Sequence, residues 1–410
     1  MSEFSCRFCG TPLKHTFVDL GMSPLSNSYL PADKLFDMEP FFSLKSYVCH
    51  QCFLVQLPAF NSSEEIFSDY AYFSSYSDSW LAHCKEYANQ AIKRFDLNSQ
   101  SQVIEIASND GYLLQYFQQA GIPVLGIEPA ENVAQVAMQA GINSVVEFFG
   151  KELAAKLQAQ NIKADFLIGN NVLAHVPDLN DFIAGLKILL SSDGVISIEF
   201  PHLLQLMDNN QFDTIYHEHF SYFSFMTVSE AFSAHGLTLF DVEEIPTHGG
   251  SLRIFGCHSD QGKYQVTERA RMLLAAEQER GLGNLDAYVQ FGNQVRKTKQ
   301  AILKFMIEVA AQGHSIVGYG APAKGNTLLN FCGIRTDMLP YTVDRSPHKQ
   351  NLFLPGTHIP IFSPDKIAED KPDFVLILPW NIKEEIMSQM AHIRSWGGQF
   401  VTFIPTVQVC

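Results

Sequence analysis

Val103-Ile-Glu-Ile-Ala-Ser-Asn-Asp-Gly111, followed thirteen residues later by Val124-Leu-Gly-Ile-Glu-Pro129, decides how this chain folds. Each segment is an apolar run that ends in small or acidic turn residues. The first leads into the helix-like Tyr112-Leu-Leu-Gln-Tyr-Phe-Gln-Gln-Ala-Gly121. Two buried strands, with an acid closing the second, are how α/β folds hold an adenosine ribose. Glu128 is placed to accept from ribose hydroxyls, and Glu105, Ala107, Asn109, Asp110 and Gly111 to line the rest of the ligand. No G-x-G-x-x-G spacing and no P-loop lysine follow, so the turn suits neither a dinucleotide nor an ATP phosphate. An Asn-Asp-Gly turn among acids favours a ligand without pyrophosphate and with positive charge. S-adenosylmethionine (SAM), a sulfonium with an ammonium, has that chemistry.

Outward from this pair the strand-helix alternation continues. Phe166–Asn170, Gly194–Glu199, Leu237–Glu244 and Leu252–Cys257 read as strands, and Asn132–Ala140 and Leu179–Leu190 as helices. The pattern predicts a mostly parallel sheet covered on both faces, with ligands outside the carboxyl ends of its strands. Asn170, Asn171 and His175 extend that rim. A helical stretch, Thr267–Gln312, separates this region from a second alternating one. There His314–Tyr319 runs into Gly318-Tyr-Gly-Ala-Pro-Ala-Lys-Gly325, and Tyr341–Asp344, Phe374–Leu378 and Gln399–Ile404 follow as strands. Lys324 in this glycine-rich turn is a candidate to meet a substrate phosphate at a helix start; glycines serving only to pack the turn account for it equally well.

The other end of the chain has different chemistry. Cys6-Arg-Phe-Cys9 and Cys49-His-Gln-Cys52 are two C-x-x-C knuckles, and four thiolates make a closed tetrahedral zinc site with no position for substrate. The expected organisation is therefore a small zinc-binding domain (1–95), a central Rossmann-like SAM methyltransferase domain (96–260) and a C-terminal Rossmann-like α/β domain with a helical lead-in (261–410). A chain of 410 residues with net charge −15 has ample length for several cores and a surface that repels nucleic acid. The polar opening MSEFSCRFCG carries no apolar signal segment, and no run is long enough to span a bilayer. A cytoplasmic protein with reduced cysteines is expected.

Acid-base chemistry concentrates in Tyr216-His-Glu-His-Phe220. His217 and His219 are two apart, so H-E-x-x-H metal spacing is absent. In a strand-like or turn conformation they would share a face while Glu218 points away, and in a helix they would diverge; an imidazole titrating near neutrality suits general base work. A cluster that merely satisfies buried backbone is the alternative. Tyr70-Ala-Tyr-Phe-Ser-Ser-Tyr76 and His248-Gly-Gly250 are further polar segments that could reach a substrate.

Taken together, the C-x-x-C pairs, Leu25-Ser-Asn, Tyr70–Ser75, Glu105–Gly111, Gly126–Pro129, Asn171–His175, Glu218–Phe220, His248–Gly250, Gly318–Lys324, Phe331–Ile334 and Lys349–Asn351 occur in an order that resembles the SAM-dependent C-methyltransferases of unusual deoxysugar biosynthesis. Carbon-3 enzymes of the tetronitrose type are similar along nearly the whole chain. The resemblance implies a nucleotide-linked, TDP-type 4-keto-6-deoxy sugar as acceptor, methylated at carbon through an enolate. It implies His219 as base and Glu218 as its positioning neighbour, with Tyr216 and Tyr72 near the keto oxygen and reacting carbon. Tyr76, His175, His217, His248 and Lys324 would face the substrate. The turn has Ala107 where the family usually has glycine, which alanine tolerates if φ is negative.

Overall fold

The computed structural model describes residues 4–59 and 78–410. Tyr72 and Tyr76 lie outside the described residues. Among the described residues, three sheets organise the fold. The first contains β1 (His15–Ser23), β2 (Phe42–Val48) and β3 (Val55–Gln56). A helix, α1 (Asp78–Arg94), then leads into the central sheet.

That sheet is built from β4 (Val103–Ile106), β5 (Val124–Ile127), β6 (Ser144–Val145), β7 (Ala164–Asn170) and β8 (Leu190–Pro201). The chain next makes a two-residue strand, β9 (Ser221–Tyr222), before the hairpin β10 (Leu237–Ile245) and β11 (Ser251–His258). The order is β10-β11-β8-β7-β4-β5-β6. β4 to β8 run parallel, and β11 is antiparallel to both its neighbours. Strand order reverses direction at β4, beside β7, which is where an open α/β sheet leaves a ligand crevice.

Burial of β4 on both faces follows from its unbroken apolar run. Ile104 and Ile106 enter the core on one side and Val103 the core on the other. The two-residue period of a strand puts Glu105 on the same side as Val103, beneath Tyr112. The sequence groups α1 with the zinc region, but it packs Trp80, Leu81, Cys84, Tyr87, Ala88 and Ala91 against Val103, Tyr112 and Phe166 of the central domain. These residues recur at helical spacing, and that apolar stripe fixes the helix to the sheet.

The 267–312 stretch forms two helices, α2 (Glu268–Glu279) and α3 (Leu285–Ala311), broken at Gly281–Gly283 and restarted by the Asn284 cap on the Asp286 N–H. In α3, Tyr288, Phe291, Val295, Thr298, Ile302, Met306 and Val309 make one buried stripe. The stripe joins residues of the first sheet, such as Phe17 and Leu20, to residues of the third, such as Leu376 and Val401, in a single core. The third sheet has β12 (Ile316–Tyr319), β13 (Thr342–Val343), β14 (Ile361–Phe362), β15 (Phe374–Ile377), β16 (Gln399–Thr402) and β17 (Gln408–Val409). Its order, β14-β13-β12-β15-β16-β17, repeats the doubly wound plan, with only β17 antiparallel.

β9 does not join the central sheet beside it in sequence. It pairs with β3, so the strand directly after His219 belongs to the zinc-region sheet. No helix of the described residues is long and apolar enough to cross a membrane.

Candidate functional site

The four sulfurs of Cys6, Cys9, Cys49 and Cys52 lie within 4.8 Å of one another. Cys6–Cys52 and Cys9–Cys49 are 3.6 and 3.5 Å apart. Tetrahedral zinc with bonds of ~2.3 Å needs sulfurs roughly 3.8 Å apart, so the donor set fits the metal. Gln56 of β3 donates its amide to the Cys6 sulfur and accepts from the Arg7 N–H. Arg7 then reaches the carbonyls of Pro177 and Leu57. The zinc knuckle is thereby tied to β3 and to the central domain.

At the β4 turn, Ala107, Asn109 and Gly111 all have left-handed φ, +55°, +49° and +79°. Alanine does not keep a negative φ here, contrary to the expectation from sequence; the chain reverses too tightly. The alanine conformation costs about 1–2 kcal/mol. Glu128 holds the turn, accepting from the N–H groups of Asn109 (3.0 Å) and Ala130 (2.9 Å). Each carboxylate oxygen retains a second lone pair for a ribose hydroxyl. Burial, with Asp110 nearby, raises its pKa. Gly126 is required because a Cβ there would come within 2.4 Å of Ser108 Oγ. Asn170 is buried with no hydrogen-bond partner for Oδ1 among the described residues. An acceptor-rich crevice with this orphaned oxygen suits the donors of a cationic, hydroxylated ligand. Glu105 is fully buried inside β4 beside Tyr112, and burial raises its pKa well above the carboxylate range.

The chain turns at His217-Glu218, and the two histidines have different partners instead of the shared face expected of a turn. His217 points to Phe42 and the Ser43 carbonyl of β2. His219 points into the cleft, with its ring 4.1 Å from Tyr216 and 4.7 Å from His175. Its Nδ1 lies 3.1 Å from the Thr214 carbonyl. That bond requires the proton on Nδ1 and leaves Nε2 as the basic nitrogen. Burial, reinforced by His175, holds its pKa well below the usual histidine value. Glu218 accepts from Asn27 of the Leu25-Ser-Asn segment at 2.6 Å, and burial raises its pKa.

Three parts of the chain hold this loop. Asn326 donates to the Ser26 carbonyl, and Thr327 to the Ile215 carbonyl, from the third region's helix α4 (Ala323–Cys332). The Phe220 N–H bonds the Ala174 carbonyl of the β7 rim.

Residues that sequence reading did not single out complete the cleft. Glu199, at the end of β8, accepts from Thr247 and Arg253 and is held down to about 2, its burial outweighed by the His83 hydrogen bond, the Arg253 charge and the Thr247 hydroxyl. An acid at a strand end, the signal used for Glu128, would have found it. Trp380, just after β15, donates from Nε1 to Asp213 at 2.7 Å. His248 lies 5.8 Å from Trp80 in a left-handed turn whose Gly249 would clash with Trp380 if it carried a Cβ. In the glycine-rich turn, Cβ atoms on Gly318 and Gly320 would meet Thr342 and Pro379 at 2.6 and 2.5 Å. The Ala321 N–H is taken by Asp344. Those glycines serve packing, and the Lys324 ammonium instead lies over Trp380 at 4.5 Å and donates to Asn381 at 2.8 Å.

A seven-stranded sheet of this order, with one reversed strand and an acid closing its second strand, defines a SAM-methyltransferase fold. Family models agree along the chain: "Putative zinc binding domain" at 6–67, "Methyltransferase domain" at 80–242 and "C-methyltransferase C-terminal domain" at 246–405. The chain is 33% identical over 404 residues to the C-methyltransferase NovU of Streptomyces niveus, covering 98% of this chain and 96% of the relative. It belongs to the C-methyltransferase family and is a methyltransferase with a four-cysteine zinc site. Among solved structures, magnesium protoporphyrin IX methyltransferase of Synechocystis, with bound SAM, is 15% identical with a TM-score of 0.34, covering 48% of this chain and 89% of that one. A SAM-dependent methyltransferase of Clostridium acetobutylicum is 10% identical with a TM-score of 0.35, covering 43% and 92%.

Proposed function

We propose that this enzyme uses SAM to methylate a carbon beside the ketone of a nucleotide-linked 4-keto-6-deoxy sugar, at carbon 3. The observation that carries this reading is the His219 tautomer. A buried imidazole with Nδ1–H fixed on the Thr214 carbonyl leaves Nε2 as the nitrogen that can accept a proton, in the hollow lined by Ala174, Phe200 and Tyr222. Methylation of an oxygen or nitrogen has less need of such a base, whereas a carbon acid requires one.

SAM supplies an electrophilic methyl when bound. Glu128 holds its ribose, and Asn109, Asp110, Gly111, Asn170 and Asn171 face the rest. His219 Nε2 removes the proton from the carbon next to the ketone, and the electron pair moves onto the ketone oxygen. Tyr216, against the His219 ring, orients the imidazole or donates toward that oxygen, and Glu218 fixes the loop through Asn27. Holding the enolate carbon against the methyl converts a bimolecular displacement into an intramolecular one. Closing the C–C bond would return the electron pair from oxygen and restore the ketone as the methyl–sulfur bond breaks, leaving S-adenosylhomocysteine as the neutral thioether and the abstracted proton on His219.

Purified protein incubated with SAM and a TDP-4-keto-6-deoxyhexose should give a product heavier by one methyl, with a new carbon–carbon bond by NMR. An O-linked or N-linked methyl refutes carbon transfer; no turnover across a panel of keto-sugar nucleotides refutes the acceptor class.

A further inference from the structure

We propose that Lys324, delivered by the third domain, is a catalytic residue that stabilises the enolate oxygen. The inference rests on the enolate reading above.

Lys324 stands in the first turn of α4, and its side chain leaves the glycine-rich turn. The backbone of that turn is committed elsewhere: the Ala321 N–H to Asp344, and the Ala321 carbonyl to Tyr29 and Lys349. With Gly318 and Gly320 packed against Thr342 and Pro379, no phosphate cradle remains beside it. The ammonium comes to rest over the Trp380 face, with one proton on Asn381. An ammonium has three protons, so donors remain for a ligand in the cleft.

Trp380 fixes this position from three sides. Its indole N–H binds Asp213, its ring edge is covered by Gly249, and its face carries the ammonium. Asp213 belongs to the same short 3-10 turn, Phe212–Thr214, whose Thr214 carbonyl holds His219 Nδ1. Cation and base are therefore mounted on one rigid unit drawn from two domains.

Its charge environment separates an enolate from a diphosphate. Asp213 is fully buried and shares the Trp380 indole with Lys324. A diphosphate brings two or more negative charges and would meet this carboxylate with one cation to offset it. An enolate develops a single charge, on an oxygen one bond from the carbon that loses its proton to His219. Burial moves the Lys324 pKa down to about 8, with Asp213 opposing, so the group stays protonated at neutral pH and becomes a stronger hydrogen-bond donor. A preorganised donor aimed at developing charge contributes about 10²–10³ in rate.

The test compares wild type with Lys324→Met and Lys324→Arg, using a TDP-4-keto-6-deoxyhexose in deuterated water with S-adenosylhomocysteine and, separately, with SAM. Exchange of the acidic proton and methyl transfer at saturation should both fall about 100-fold or more in Lys324→Met. Affinity for the sugar nucleotide should change less than about threefold, and Lys324→Arg should recover part of the exchange. Unchanged exchange in Lys324→Met overturns the proposal. So does loss of affinity for TDP alone with saturated turnover retained, which would make Lys324 a phosphate contact. If Lys324→Met does not fold, judged by melting and SAM binding, Lys324→Gln against Lys324→Arg decides on the same readouts. Failure of the parent reading looks different: wild type itself would show no exchange, or an O-linked methyl.

Discussion

His219 and His217 are neighbours but one residue apart, and their surroundings give them separate work. His219 keeps its proton on Nδ1 and its lone pair toward the cleft; His217 is spent on β2. His219→Asn should lower methyl transfer by about 10²–10⁴, as loss of a general base does. His217→Asn should stay within about threefold of wild type in the same steady-state assay. Equal losses would mean that the cleft reads both rings. Gly126 offers a second test. Gly126→Ala drives a methyl into Ser108 and should cost about 1–3 kcal/mol in unfolding free energy and weaken SAM binding by calorimetry. Adding Ser108→Ala should restore much of both. The G-x-E-P motif was legible in sequence as a strand end; the reason for its glycine was not, because Ser108 arrives from a different strand turn.

Among the elements, the decisive one is a strand of two residues. β9 spans only Ser221–Tyr222, too short to stand out by periodicity, and nothing local to it announces that its partner is β3. Local pattern made β4, β5, β7, β8, β12 and β15 visible, since a buried parallel strand shows as an apolar run. It also made the zinc knuckles visible by spacing. It could not reveal the turn that separates His217 from His219, which Asn27 and Ala174 hold from distant parts of the chain. Through Gln56 and β3, the zinc site holds the backbone directly beyond His219. Chelation of zinc, or Cys49→Ser, should therefore raise amide hydrogen exchange at Ser221 and Tyr222 and reduce turnover, while amides of β12 and β15 stay protected. Protection at β9 that survives metal removal would confine the metal to the knuckle itself.

Across the whole molecule, Trp380 is where the third domain meets the base. Trp380→Phe removes the bond to Asp213 but keeps the ring. It should lower turnover at least tenfold with little change in melting temperature; an unchanged rate would show that Asp213 needs no anchor. Acid stability is also a property of the whole chain. His175 is pressed down to about 4 by burial, so between about pH 6.5 and pH 4 the unfolded chain binds a proton that the folded chain refuses. Stability contributed by this site falls as pH drops through that window. Buried carboxyls with raised pKa, such as Asp213 at about 6, act in the opposite sense, so the measurement must be a difference. His175→Gln should lose less stability than wild type on going from pH 6.5 to pH 4 in chemical denaturation; parallel curves would remove His175 from the acid response.

The pairing of β3 with β9 also changes what counts as an insertion. From the viewpoint of the first sheet, everything between Gln56 and Ser221, including the SAM crevice, is one excursion whose two ends are clasped side by side. The five parallel strands of the central sheet, β4 to β8, are thus a guest within the zinc module, while the β10–β11 hairpin that completes the sheet follows it. A chain cut to begin at Asp78 would bare β9 as an unprotected edge, which templates self-association. The same exposed edge makes the enzyme a candidate for two-piece reconstitution, with a zinc-loaded fragment 1–59 supplied in trans returning the missing strand.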